Sequence, residues 1–180
     1  VLAGDQLWIA SFRGGLDRYD IRKNVFVNFN AFDPSHPLLE NHERKIVKDG
    51  EDGFWLSYVT VLNAFTYYSH KTRKFTHIEF PSTNQELISR GISDMAYMQG
   101  DTLWIATDKN IYTYNKKSGA ISDIVIESDR LPRNMSIKSI ACGIDPSTLW
   151  IGTNGSELWK YDSRSHKTVS YTHLTLPTKL

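Results

Sequence analysis

The residues best able to do chemistry in this chain gather in its turn-like stretches. Short turns carry Arg13, Tyr58, Asp108, Lys109 and Asn154. Longer links, over residues 30–43, 81–90 and 127–134, carry His36, His42, Asn84, Arg90, Arg130, Arg133 and Asn134. Guanidinium and amide donors of this kind satisfy hydroxyls or a carboxylate, and an aromatic such as Tyr58 can cover the face of a sugar ring. Arg13, Tyr58, Asp108, Lys109, Asn154, Arg130 and Arg133 are therefore the candidate ligand-binding residues, and a polyhydroxylated or anionic saccharide is the ligand class they suit.

Catalysis needs convergent groups at recognisable spacing, and none stands out. There is no Gly-x-Ser-x-Gly elbow, no Gly-rich phosphate loop ending in Lys-Ser/Thr, no Gly-x-Gly-x-x-Gly and no His-Glu-x-x-His. No catalytic residue, cofactor or metal is expected. His36, His42, Asp33 and Glu40 share one link, but without a second such cluster they read as a solvated loop. The run Asp49-Gly50-Glu51-Asp52-Gly53 lacks the glycine and distal glutamate offsets of a calcium loop and reads as a hairpin turn. The single cysteine, Cys142, follows Ile140-Ala141 and reads as a small buried hydrophobe; alone, it excludes an internal disulfide. Charge is nearly balanced, with 21 Lys+Arg against 20 Asp+Glu, which argues against a nucleic-acid grip built on bulk positive charge. No apolar run approaches the roughly 20 residues a membrane helix needs. Neither nucleic acid nor membrane is expected to meet this segment.

The elements that position those residues are announced by a repeat. One phrase is written four times, beginning at Asp5, Asp52, Asp101 and Ser147, and its tryptophans Trp8, Trp55, Trp104 and Trp150 lie 47, 49 and 46 residues apart. An in-phase tyrosine follows each by 10 to 13 residues, at Tyr19, Tyr67 or Tyr68, Tyr114 and Tyr161. The Trp-bearing pieces, such as Leu103-Trp104-Ile105-Ala106, are apolar throughout, which predicts strands covered on both faces. The pieces that follow a tight turn, such as Leu158-Trp159-Lys160-Tyr161-Asp162, alternate and predict half-exposed strands. An outer piece (Val25-Phe26-Val27) and a leading piece (Ser93 to Tyr97) complete a unit of four strands, while the first unit retains only a stub of its leading strand.

Four antiparallel strands per cycle of ~40 to 50 residues, with Trp in the second, is the pattern of a β-propeller blade. We expect an all-β chain of four consecutive four-stranded blades belonging to a larger ring. The blades should occupy about residues 1–30, 44–80, 92–127 and 137–169. In this reading the tryptophans, with Tyr19, Tyr68, Tyr114 and Tyr161, are structural wedges between sheets.

The phrases Leu103 to Thr107, Gly14 to Asp20 and Asp49 to Ser57 resemble the repeats of the two-component regulator propeller family, whose hallmark runs Asp-x-x-Gly-x-Leu-Trp-Ile-Gly-Thr, then Gly-Gly-Leu and Tyr-Asp. The likeness covers nearly the whole chain. It departs at Phe54 and Leu56 in the second cycle and at Lys109-Asn110-Ile111 in the third, where Gly-Gly-Leu is usual. The resemblance implies the periplasmic sensor region of a hybrid histidine kinase of Bacteroidota type. It implies further a glycan-derived oligosaccharide ligand, a seven-bladed ring completed by further blades, a homodimeric full receptor and a segment that is itself non-catalytic. The alternatives are a propeller enzyme of lyase or hydrolase type, with its base and carboxylate on other blades, and a protein-interaction scaffold. Residues 170–180 resemble translated sequencing adapter and are expected to be a non-native tail.

Overall fold

The computed structural model describes residues 1–35, 37–81, 91–97, 100–124, 136–155 and 157–171, and among these every regular element is a strand. Sheet I holds β1 (Leu2–Ala3), β2 (Gln6–Ser11), β3 (Gly15–Asp20) and β4 (Val25–Phe29). Sheet II holds β5 (Glu43–Asp49), β6 (Gly53–Tyr58), β7 (Ala64–Ser69) and β8 (Lys74–Glu79). Sheet III holds β9 (Ile92–Tyr97), β10 (Thr102–Thr107), β11 (Ile111–Asn115) and β12 (Ile121–Ile124). Sheet IV holds β13 (Ile137–Cys142), β14 (Thr148–Thr153), β15 (Leu158–Asp162) and β16 (Lys167–Tyr171). Each sheet is an antiparallel meander in chain order. The helix candidate near residues 84–89 lies outside the described residues.

Turn chemistry sets the strand ends. Gly15 adopts a φ of 77°, and a Cβ there would lie 2.3 Å from the carbonyl oxygen of Phe29, so only glycine lets β3 start so close to β4. The turn after the third strand of each sheet repeats one left-handed residue: Asn24, Arg73, Gly119 and His166, with φ between 54° and 71°. β16 runs through Tyr171, so Ser170 and Tyr171 pair with Trp159 and Leu158, two residues past the expected end of the last repeat.

The in-phase aromatics meet across cycles rather than within them. Trp8 of sheet I packs on Tyr68 of sheet II at 4.7 Å between ring centroids. Trp55 meets Tyr114 of sheet III at 5.5 Å, and Trp104 meets Tyr161 of sheet IV at 5.9 Å. Three apolar clusters result, one per junction. The indole N–H groups of Trp8, Trp55 and Trp104 are buried without an acceptor among the described residues, so these rings act as apolar wedges. Polar ties support the same stacking. Asp94 of β9 takes Lys45 of β5 at 2.8 Å on one oxygen and the amide N–H of Ile140 in β13 at 2.9 Å on the other, linking the leading strands of three sheets.

Burial separates inner from end sheets, a distinction the repeat pattern lacks. β6 is buried along its whole length and β10 nearly so, as expected for strands covered on both faces. β2 and β14 are not, because among the described residues sheets I and IV each have one face without a neighbour. Trp150 is thus only half-buried, and instead of a tyrosine from a next sheet it meets Tyr171 of its own sheet at 5.8 Å. Its expected role as a buried wedge is corrected accordingly: among the described residues no second sheet lies against the fourth ring. At the other end Leu2, Leu7, Tyr19 and Phe26 form one cross-strand row on the open face of sheet I, with Ile9 two residues on.

Tyr19 and Trp150 are therefore the unmatched halves of a pairing the chain makes three times internally. Bare apolar sheet faces of this kind associate. We expect light scattering on the 180-residue chain to give a mass above the monomer that falls on dilution. Ile9→Lys or Trp150→Glu, both on open faces, should shift it to monomer with an unchanged far-UV spectrum. A concentration-independent monomer would refute the expectation.

Candidate functional site

Hairpin turns and inter-sheet links are bonded to one another along one edge of sheets I and II. The amide N–H of Gly15 donates to the carbonyl of Asn41, and that of Val59 to the carbonyl of His42. The Glu40 carboxylate accepts from the backbone N–H of Thr60 at 2.7 Å and also from the Thr60 hydroxyl, which holds its pKa below the usual carboxylate value despite partial burial. Phe12 forms an isolated bridge with His42, and the two rings stack at 5.1 Å. The same arrangement recurs at the sheet III–IV junction. There the N–H of Ile137 donates to the carbonyl of Asp108, and Asn154 both donates to and accepts from the backbone of Ser136. Where the described residues cover them, link and hairpin backbones bond to one another along this edge.

The predicted residues distribute unevenly on it. Arg13 is exposed, holds a left-handed φ of 65°, and sets its guanidinium 5.3 Å from the Phe12 ring centroid. Lys109 and Asn154 are exposed, whereas the Asp108 residue is buried. Arg130 and Arg133 lie outside the described residues, as do His36, Asn84, Arg90 and Asn134.

Tyr58 does not fit the role assigned to it. Its ring is fully buried and its hydroxyl donates to Thr66 Oγ1 at 2.7 Å; burial pushes its pKa up to about 12. The reason is register. Tyr58 is the last residue of β6, three after Trp55, at the place Ser11, Thr107 and Thr153 hold in the other sheets. Alternation turns its side chain to the face shared with sheet I, which is covered. No sugar ring can reach it.

Among the described residues, the aromatics that do reach solvent on this rim are Phe12, 72% exposed, and Phe32, 85% exposed. Sequence reasoning missed both. Phe12 was detectable, because it takes the place of Val59, Asp108 and Asn154, where a strand has already left the sheet. Beside Arg13 and His42 it forms a small platform of one aromatic face, one imidazole and one guanidinium, a set that can stack on a ring and donate to its substituents.

The fold so defined is a tandem of four-stranded antiparallel sheets stacked face to face. No family model and no curated protein sequence matches the chain. Solved structures do. Two structures of the extracellular domain of BT4673 from B. thetaiotaomicron, described as a putative one-component system and as a putative hybrid two-component system, superpose with a TM-score of 0.74. Identity is 22%, over 96% of this chain and 22% or 21% of theirs. The extracellular domain of BT3049, a putative hybrid two-component system from the same organism, superposes with a TM-score of 0.69 at 22% identity, over 92% of this chain and 22% of that one. The chain thus shares their fold and spans about a fifth of their length.

Proposed function

We propose that this chain is an extracytoplasmic, periplasmic ligand-sensing module of a two-component signalling receptor of the propeller-repeat family. The observation that carries the reading is the superposition of nearly the whole four-sheet unit on extracellular domains of hybrid two-component systems. In this reading the four sheets are four consecutive blades of a ring that further blades complete. Contacts of β9 with both β5 and β13 support this reading, in which leading strands group about an axis. The segment itself is non-catalytic, and a histidine kinase elsewhere in the receptor, a homodimer, converts the signal. Residues 170–180 are the adapter-derived tail, of which Ser170 and Tyr171 extend β16.

The ligand is a glycan-derived oligosaccharide, and its contact surface is the rim of turns and links. Phe12 and Phe32 take the stacking role, Arg13, Lys109 and Asn154 donate to hydroxyls or a carboxylate, and Arg130 and Arg133 add charge from the third link. Exposed aromatic faces next to guanidinium and amide donors support this chemistry. Isothermal titration of the complete extracellular region against an oligosaccharide panel tests it. One saccharide class should give saturable heat that Phe12→Ala and Arg13→Ala reduce at unchanged folding. Silence across the panel would overturn sugar sensing.

A further inference from the structure

A second concavity lies at the opposite edge, in the groove between sheets I and II, with a volume of about 460 Å³. Register explains why it is open. In the next groove, between sheets II and III, Asp49 at the end of β5 is met by Lys116, which also donates to the Tyr67 hydroxyl at 2.9 Å, and this ion pair closes the gap. In the first groove Ala3 occupies the place of Asp49, since both lie opposite the first residue of a Trp strand that holds Trp two residues on. His70 occupies the place of Lys116: the N–H of each donates to the carbonyl of the turn before its sheet's Trp strand, at Asp52 and Asp101. Ala3 is too short to reach His70, and a cleft remains.

Its wall is not electrically neutral. Three carboxylates border it, and each is engaged: Asp5 by Arg22 at 2.7 Å, Glu51 by Lys48 at 2.7 Å, and Asp20 by the Lys23 amide at 2.9 Å with the Lys23 ammonium at 4.0 Å. Two guanidiniums are left over. Arg18 packs beside the stacked Trp8 and Phe29 pair, its guanidinium carbon 5.7 and 5.6 Å from their ring centroids, and reaches the Tyr68 hydroxyl. Arg73 lines the same cleft from the β7–β8 turn, at a left-handed φ of 57°. Neither has a carboxylate within 4.0 Å among the described residues. Between them the cleft is lined by Tyr68 and His70, and His70 Nε2 is buried with no hydrogen-bond partner among the described residues.

We propose that this cleft is an oxyanion site that takes a small carboxylate- or sulfate-bearing molecule on the Arg18 and Arg73 guanidiniums. The planar donors of arginine match the paired oxygens of either group. One guanidinium is restrained by its contacts with the Trp8 and Phe29 rings, so less conformational freedom is lost on binding. The site lies on the edge opposite the rim of turns and links and does not depend on the sensor reading.

The test is a titration of the 180-residue chain followed by NMR at the His70 ring, with sodium sulfate, sodium glucuronate and glucose as probes, at ionic strength held constant with sodium chloride. Saturable shifts with glucuronate, sulfate or both are expected, and none with glucose. A response to sulfate alone assigns a sulfate group, and one to glucuronate a carboxylate. Because burial depresses the His70 pKa, a bound anion beside the ring should also raise it. Arg73→Asn keeps the turn, since Asn24 adopts the same conformation in sheet I, and should weaken binding about tenfold or more. Arg18→Lys should retain part of the affinity that Arg18→Met loses. Absence of saturation, a response to glucose equal to that of the anions, or full affinity in Arg73→Asn would each overturn the site.

Discussion

Replacing Trp55 or Trp104 with alanine will destabilise the fold by about 3 to 5 kcal/mol, whereas the same change at Trp150 will cost far less, on the order of 1 kcal/mol. The three rings sit at one repeat position, so neither sequence context nor strand register separates them. What separates them is the neighbour. Trp55 and Trp104 are buried between two sheets, with Tyr114 and Tyr161 against their rings, and removing either leaves a hole that two sheets line. Trp150 has only its own sheet behind it. Chemical denaturation below the concentration of self-association measures the difference. With a total stability of 5 to 15 kcal/mol for an ordinary domain, either inner substitution removes a large fraction of it. Equal losses at all three positions would mean that the open face of sheet IV is covered in solution, and the stacking order derived from the three clusters would have to be redrawn.

Much of this architecture is legible in the chain because its strongest interactions recur in phase. A wedge that must fill the same gap at every junction imposes Trp at a period of 46 to 49 residues, and the tyrosines follow because each covers the preceding wedge. Periodicity does not say which copies have neighbours, so the half-exposure of Trp150 was invisible. The rim was readable in outline and misread in detail. Residue type alone does not locate a side chain on the pleat: Tyr58 is the last residue of β6, and the pleat buries it one residue before the turn begins. Phe12, an apolar residue by type, stands one step past the end of β2, which leaves it in solvent. The cleft between the first two sheets could not be seen at all. It arises from a mismatch between Ala3 and His70, residues 67 apart that only the stacking brings face to face.

Glu43 shows the same limitation and gives the second large effect. A glutamate at the start of β5 reads as an ordinary polar residue, yet it is only 7% exposed and both carboxylate oxygens lack a hydrogen-bond partner among the described residues. Burial pushes its pKa from 4.5 up to about 7, and the nearby carboxylates of Glu40 and Asp17 add repulsion. The sign follows from proton binding. Between pH 4.5 and 7 the folded chain holds a proton that the unfolded chain has released, so stability falls as pH rises through this window and levels off above it. A shift of this size corresponds to a loss on the order of 3 kcal/mol from this residue. Glu43→Gln removes the charge while keeping the shape. At pH 5 it should match the parent; at pH 8 it should be more stable by roughly 2 to 3 kcal/mol, with a flatter profile across the interval. Thermal or urea melts of both chains from pH 4.5 to 8.5 decide it, and because the other titrating groups are common to both, only the difference between the curves counts. Parallel curves would show that Glu43 ionises at its ordinary value, and hence that water or a cation reaches a carboxylate that the packing of β5 against β6 encloses.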